Sequence, residues 1–157
     1  MWRHKISMGH TFSNLLIHII FSVKDRKNML YKEMRNDLFP YIHGIAKNIG
    51  CNIIRAGGVE DHVHILIKTQ PDISVSEVVM KVKANSSKWM HETYPNLSDF
   101  AWQVGFSCFS VSESVKDDVI KYIDCQEEHH KRFPLGEELK MFFEKNKVSP
   151  LPTGGLR

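Results

Sequence analysis

The stretch Asp61-His62-Val63-His64-Ile65-Leu66-Ile67-Lys68 constrains this chain more than any other. Val63, Ile65 and Ile67 alternate with His62, His64 and Leu66, the period of a strand whose side chains point to opposite faces in turn. The first set is wholly apolar and requires a core. His62 and His64 share the other face, roughly 7 Å apart along the backbone. Two imidazoles so spaced either converge on one metal ion or stand as two polar residues on a wet sheet face. A strand anchored by a core would hold metal ligands rigidly. Nine histidines in 157 residues make a bare His-x-His too common to decide between these readings.

The length suits one domain with a sizeable core. Hydrophobic residues at 42% and charged residues at 25% are ordinary for a globular protein, so a disordered chain is excluded. No apolar run approaches the length of a membrane span; Leu15 to Val23 is too short and contains His18 and Ser22. The first residues lack the apolar core of a signal peptide. Cys51, Cys108 and Cys125 are three, widely spaced, and read as free thiols of a reducing compartment. A cytoplasmic protein is expected. The net charge of +3 is compatible with nucleic acid without establishing it.

Along the chain, Asn14 to Val23 reads as a first strand, followed by a charged turn. Met34, Leu38, Tyr41, Ile42, Ile45 and Ile49 recur at helical spacing over Tyr31 to Ile49. Pro40 within that helix should kink it or mark a late start, and Gly50 should stop it. Asn52 to Gly58 and His62 to Thr69 form a hairpin. Ser74-Val75-Ser76-Glu77 is a capping box opening a second helix. Phe100 to Gln103 and Phe106 to Val111 read as two short strands split by Gly105. Ser114 should cap a third helix running to about His130, and Leu135, Leu139, Phe142 and Phe143 mark a last one. The order predicts an α+β, ferredoxin-like (RRM-like) fold: an antiparallel sheet with helices on one face, the other face open beneath the His pair, plus a C-terminal helix. Residues 10–146 would form one domain, with 1–9 and 147–157 as flexible tails.

On the third helix Tyr122 and Gln126, four residues apart, share a stripe with Val115, Val119 and His129. A glutamine in that stripe is either a solvated residue beside a core-rim tyrosine or part of a site with it.

Four groups of residues resemble one family. They are Asp61-His62-Val63-His64; Lys83-Ala84-Asn85-Ser86-Ser87-Lys88-Trp89; Phe100 to Phe106 with Phe109-Ser110-Val111-Ser112; and Tyr122-Ile123-Asp124-Cys125-Gln126-Glu127-Glu128-His129-His130. Together they resemble the HUH-type, single-tyrosine transposases of the smallest bacterial insertion sequences. The resemblance implies that Tyr122 is the nucleophile and that His62, His64 and Gln126 hold a divalent ion, Mg²⁺ or Mn²⁺. It implies cleavage and rejoining of single-stranded DNA through a 5′-phosphotyrosine link at hairpin-bearing element ends. It also implies a homodimer, and the polar link Ser110 to Ser114 would let the tyrosine helix dock on either subunit.

A DNA-binding surface should be basic. Lys81, Lys83 and Lys88 of the second helix, with Lys24, Arg26 and Arg55, are the candidates; for the lysines a merely solvated helix face is the competing reading. His10, His18, His43 and His91 are not expected to be ligands, and His129 and His130 have no assigned role. Two other functions compete. One is a domesticated nuclease of the same type that processes palindromes. The other is a non-catalytic RRM-like module binding single strands through sheet aromatics, although here histidines occupy that face.

Overall fold

The computed structural model describes residues 11–149. Four strands, β1 (Leu15–Ser22), β2 (Asn52–Gly58), β3 (His62–Thr69) and β4 (Ser107–Val111), form one antiparallel sheet in the order β2-β3-β1-β4. Helices α1 (Lys32–Asn48) and α2 (Val75–Thr93) cross over between strands, and α3 (Lys116–Asp124), α4 (Gln126–Arg132) and α5 (Leu135–Lys145) follow β4. This is the expected α+β, ferredoxin-like arrangement. The flexible tails expected for 1–9 and 147–157 lie for the most part outside the described residues.

The apolar set of β3 does what its alternation requires. Val63, Ile65 and Ile67 join Ile19, Phe21 and Ile53 in a core with Leu38, Ile42 and Ala46 of α1 and Val78, Val79, Val82 and Met90 of α2. Each valine, leucine, isoleucine, phenylalanine or methionine so buried contributes roughly 1.5–3 kcal/mol. α1 runs unbroken through Pro40 from Lys32, so the proline does not delay its start. Gly50, at φ +75°, ends the helix by turning the chain left-handed. The α2 cap is half a capping box: Glu77 N–H donates to Ser74 Oγ at 3.1 Å, while the Glu77 carboxylate pairs with Lys81 at 2.8 Å.

Three expectations require correction. The sheet face carrying the histidines is not open. Leu16, Ile20 and Leu66 share it with them, and α3 and α5 cover it, Ile123 packing on Leu16 and Leu66 and Leu135 on Ile20 and Phe109. From Ile65 to Ile67 β3 is apolar on both faces, and every residue of it but Lys68 is buried, the pattern of a strand covered on both sides. Second, Phe100 to Gln103 is not a strand: only Trp102 bridges to Val23, and Gly105 turns the chain at φ +85°. At that bridge Gln103 N–H donates to Ser22 O and Lys24 N–H donates to Ala101 O, both at 2.8 Å, and other groups of the segment are taken by α2. Trp102 Nε1–H donates to Ser86 Oγ at 2.9 Å, and Lys83 Nζ donates to the carbonyls of Gln103 (2.7 Å) and Gly105. Third, Ser114 caps nothing. Its hydroxyl hydrogen-bonds Ser112 Oγ at 2.9 Å, Glu113–Val115 form a 3-10 turn, and the helix starts at Lys116. It ends at Asp124, short of His130, because Cys125 leaves helical geometry (φ −96°, ψ 17°) before α4 begins.

Two glycines of the β2–β3 hairpin let these layers close. A Cβ on Gly57 would stand 2.8 Å from Ile123 Cγ2 and 2.9 Å from Ile123 O, so only glycine lets α3 lie this close to the sheet. Gly57 is also the register partner of His64. The close approach therefore brings the tyrosine helix down beside the His pair. A Cβ on Gly58 would collide with the His62 carbonyl.

Candidate active site and metal centre

His62 and His64 are fully buried at 0% exposure, which settles against two polar residues on a wet face. Burying unpaired polar groups is costly, so each ring needs partners. His62 Nδ1–H donates to Asp61 Oδ1 at 2.7 Å, and its Nε2 turns inward to Gln126 Oε1 at 3.2 Å. His64 Nδ1 lies 2.9 Å from His18 Nε2. His64 Nε2 is buried and has no hydrogen-bond partner; Glu138 Oε1 lies 3.5 Å from it. A buried nitrogen lone pair aimed at a cluster of other donors is what a metal ligand looks like before its ion arrives. His62, His64 and Glu138 each offer a donor atom, all within 4.8 Å of one another. Together with the Gln126 amide oxygen, that donor set fits a divalent cation.

The electrostatics separate the two histidines. Burial alone would lower the pKa of His62, but the hydrogen bonds and charges of Asp61 and Glu138 outweigh it and raise the value to about 9. His62 is thus protonated without a metal, and the inward Nε2 proton occupies the position an ion would take. Binding must release a proton. Burial, with the adjacent His18, His62 and His129, drives His64 well below the ordinary range, so its ring is neutral. Burial also lowers His18, to about 4. For His64 to present a free Nε2, its Nδ1 must carry the proton and donate it to His18 Nε2. Burial alone would raise the Asp61 carboxyl, but the hydrogen bond and charge of His62, with the charges of His130 and Arg26, together outweigh it and lower the value.

α3 and α4 bring Tyr122 and Gln126 to the same place in spite of the break at Cys125. The Tyr122 ring lies 5.7 Å from that of His64, stacks on His129 at 4.7 Å and meets Phe142 edge-on at 5.3 Å. Its hydroxyl donates to Glu138 Oε1, which also accepts from Gln126 Nε2 at 3.0 Å. Within the described chain, the tyrosine helix therefore docks on its own sheet. A mostly apolar pocket of about 240 Å³ opens beside Tyr122, lined by His18, Val119, Met141 and Phe142 among others.

The structure thus brings together His62, His64, Gln126 and Tyr122. The basic candidates divide. Lys24 and Arg26 are exposed at the end of β1, Arg26 Nε lying 3.9 Å from Asp61 Oδ2. Arg55 on β2 pairs with Asp124 of α3 at 3.3 Å. Lys81, Lys83 and Lys88 lie on α2, in the layer on the far side of the sheet. Lys81 and Lys88 pair with Glu77 and Glu92, and Lys83 is committed to two loop carbonyls.

Sequence reasoning missed three residues. His18, for which no role as a ligand was expected, lies 2.9 Å from His64 Nδ1. On β1 it stands between Leu16 and Ile20 in their alternating set, a polar residue where the pattern asks for an apolar one. Glu138 likewise falls at the stripe of Leu135, Leu139 and Phe142 on α5. Asp61 was visible in the motif without a role. His18→Leu should weaken divalent-ion binding by roughly 10- to 100-fold, because His64 loses the partner that fixes its tautomer. His18→Gln, which can still accept that proton, should recover part of the loss. Calorimetric titration with Mn²⁺ on folded variants checks both.

A split β-α-β sheet bearing a buried His pair, an amide oxygen and a tyrosine at one point defines a class of proteins with a metal-compatible tyrosine site. Residues 11–126 match the family model described as "Transposase IS200 like", and the chain belongs to that family. It is accordingly a transposase, an enzyme of DNA transposition acting by metal-assisted strand cleavage and transfer. The chain is 28% identical over 127 residues to the ISDra2 transposase TnpA of Deinococcus radiodurans, covering 78% of this chain and 90% of that one. It is 28% identical over 141 residues to the transposase for insertion sequence element IS200 of Salmonella typhimurium, covering 86% and 90%. Two solved structures share the fold. A Deinococcus radiodurans R1 transposase superposes with TM-score 0.62 at 24% identity, covering 75% of this chain and 94% of that chain. A REP-associated tyrosine transposase bound to a REP hairpin gives 0.54 at 14%, covering 78% and 70%. Among the described residues no helix is long and apolar enough to cross a membrane.

Proposed function

We propose that this chain cuts and rejoins single-stranded DNA at the hairpin-bearing ends of an insertion element, with Tyr122 as nucleophile. The observation that carries this reading is the convergence of Tyr122, His62, His64 and Gln126 around one buried point. His62 Nε2, His64 Nε2 and Gln126 Oε1 would hold the divalent ion, Mg²⁺ or Mn²⁺ in the cell. The ion supplies Lewis acidity to the scissile phosphate and helps position it.

The remaining chemistry belongs to side chains. The Tyr122 oxygen attacks phosphorus, a new oxygen–phosphorus bond forms, and the bond to the 3′ oxygen breaks. The products are a 5′-phosphotyrosine and a free 3′-OH. A phenol is a poor nucleophile until its proton leaves, and here that proton already points at a carboxylate oxygen of Glu138. Attack by the 3′-OH of another strand reverses the step and joins DNA with no outside energy source.

The closed geometry has a consequence for entry. Glu138 and Gln126 fill the space between Tyr122 and the His pair, so a phosphate reaches the site only when the α3–α5 cover shifts. Arg26, 3.9 Å from Asp61, and Arg55, paired with Asp124 of α3, are proposed to guide the strand together with the exposed Lys24; Lys81, Lys83 and Lys88 would contribute only to a strand wrapping past the sheet edge. We extend the proposal to a homodimer, whose two sites would serve the two ends of one element; light scattering should then give twice the chain mass. The activity itself is tested with a 5′-labelled single strand. Cleavage should free the label and leave the 3′ piece on the protein.

A further inference from the structure

The family match ends at residue 126, and Glu138 lies beyond it on α5. Its side chain is nonetheless among the most enclosed polar groups of the chain, with the residue 1% exposed. A carboxylate buried that far is costly unless every oxygen has a positive or hydrogen-bonding partner. Its partners are the functional residues themselves. Oε1 accepts from the Tyr122 hydroxyl and from Gln126 Nε2 at 3.0 Å, and lies 3.5 Å from His64 Nε2. Oε2 lies 3.4 Å from His62 Nε2.

These spacings match those around a bound cation. Nitrogen and oxygen ligands at about 2.1 Å from one ion stand roughly 3.0 Å apart in octahedral and roughly 3.4 Å apart in tetrahedral geometry. The observed edges are 3.2 Å from His62 Nε2 to Gln126 Oε1 and 3.4 Å from His62 Nε2 to Glu138 Oε2, while His64 Nε2 stands 3.5 Å from the other oxygen of the same carboxylate, Oε1.

We propose that Glu138 is a fourth protein ligand of the ion, binding through Oε2 while Oε1 keeps hold of Tyr122. One carboxylate then links the ion to the nucleophile and ties α5 to α3 across the site. This rests on the reading of His62, His64 and Gln126 as ligands. It also answers a mismatch in that set. Two neutral imidazoles and an amide leave the full charge of a divalent ion uncompensated in a buried site, and imidazole suits transition metals better than Mg²⁺. An added carboxylate supplies both negative charge and the hard oxygen donor that Mg²⁺ and Mn²⁺ favour.

The test is Mn²⁺ binding to the whole, DNA-free chain, followed by calorimetry and by water-proton relaxation, which counts waters on the ion. Glu138→Ala should weaken Mn²⁺ by about 10-fold or more and admit one additional inner-sphere water. Glu138→Gln keeps an oxygen but loses the charge, and its affinity should fall between that of the alanine variant and wild type. Tyr122→Phe, which removes only the hydroxyl contact, should leave affinity and water count near wild type. Thermal unfolding confirms that each variant is folded; should the alanine variant fail, the glutamine variant carries the test. A Glu138→Ala or Glu138→Gln protein that binds Mn²⁺ as tightly as wild type, with no change in bound water, would overturn the proposal. A wild-type chain that binds no Mn²⁺ would instead overturn the ligand reading of His62, His64 and Gln126.

Discussion

His64→Ala should abolish strand cleavage while leaving DNA binding within a few-fold of wild type. His64 sits wholly inside the protein, its Nδ1 held by His18 and its Nε2 aimed at the donor cluster without a hydrogen bond of its own. The substitution removes one ligand of the proposed ion and frees His18 Nε2 in a buried setting. Losing the Lewis acid removes several kcal/mol of transition-state stabilisation, and about 1.4 kcal/mol is tenfold in rate. A fall of at least roughly 10³-fold is expected on that basis. DNA binding, which rests on surface cations, should persist. Chelation should act on the wild-type protein as the mutation does, with activity returning on addition of Mg²⁺ or Mn²⁺. Cleavage assays with and without excess EDTA, beside a binding assay on the same strand, check this. Full activity in the chelator would remove the metal from the account.

Tyr122→Phe should eliminate the covalent protein–DNA product altogether. The change deletes one hydroxyl and keeps the ring, so the stack on His129 and the edge contact with Phe142 survive. Glu138 Oε1 loses one donor but still accepts from Gln126 Nε2. The stability change should stay near the roughly 1 kcal/mol of an ordinary hydrogen bond. A denaturing gel should show no shifted band for this variant under conditions where wild type gives one, while the melting temperatures stay close.

The parts of this molecule that were legible in the sequence are those set by local pattern. β2 and β3 fall at the predicted residues because alternation and a Gly-rich turn define them. The start of α2 follows from the Ser74 cap. His62 and His64 share a face by strand periodicity alone, and Tyr122 and Gln126 meet by four-residue spacing even across the kink at Cys125. What was not legible depends on contacts between distant segments. The cover over the histidine face arises because Leu16, Ile20 and Leu66 must be buried by something, and the pattern does not say that α3 and α5 do it. The Phe100 to Gln103 segment has a strand-like composition, yet side chains of α2 take two of its carbonyls, His91 that of Phe100 and Lys83 that of Gln103. His18 reaches His64 from a neighbouring strand, and Glu138 reaches Tyr122 from the next helix but one. Each betrays itself locally only as a polar residue in an apolar stripe, a signal that becomes meaningful once the facing layer is known.

In the proposed reaction Tyr122 becomes covalently joined to DNA. Peptide mapping by mass spectrometry, after incubating the wild-type protein with a cleavable single strand and a divalent ion, tests it most directly. One modified peptide is expected, containing Tyr122, with a nucleotide attached through its 5′ phosphate to the phenolic oxygen. Attachment at Tyr31, Tyr41 or Tyr94 would contradict it, as would cleavage that leaves every tyrosine unmodified.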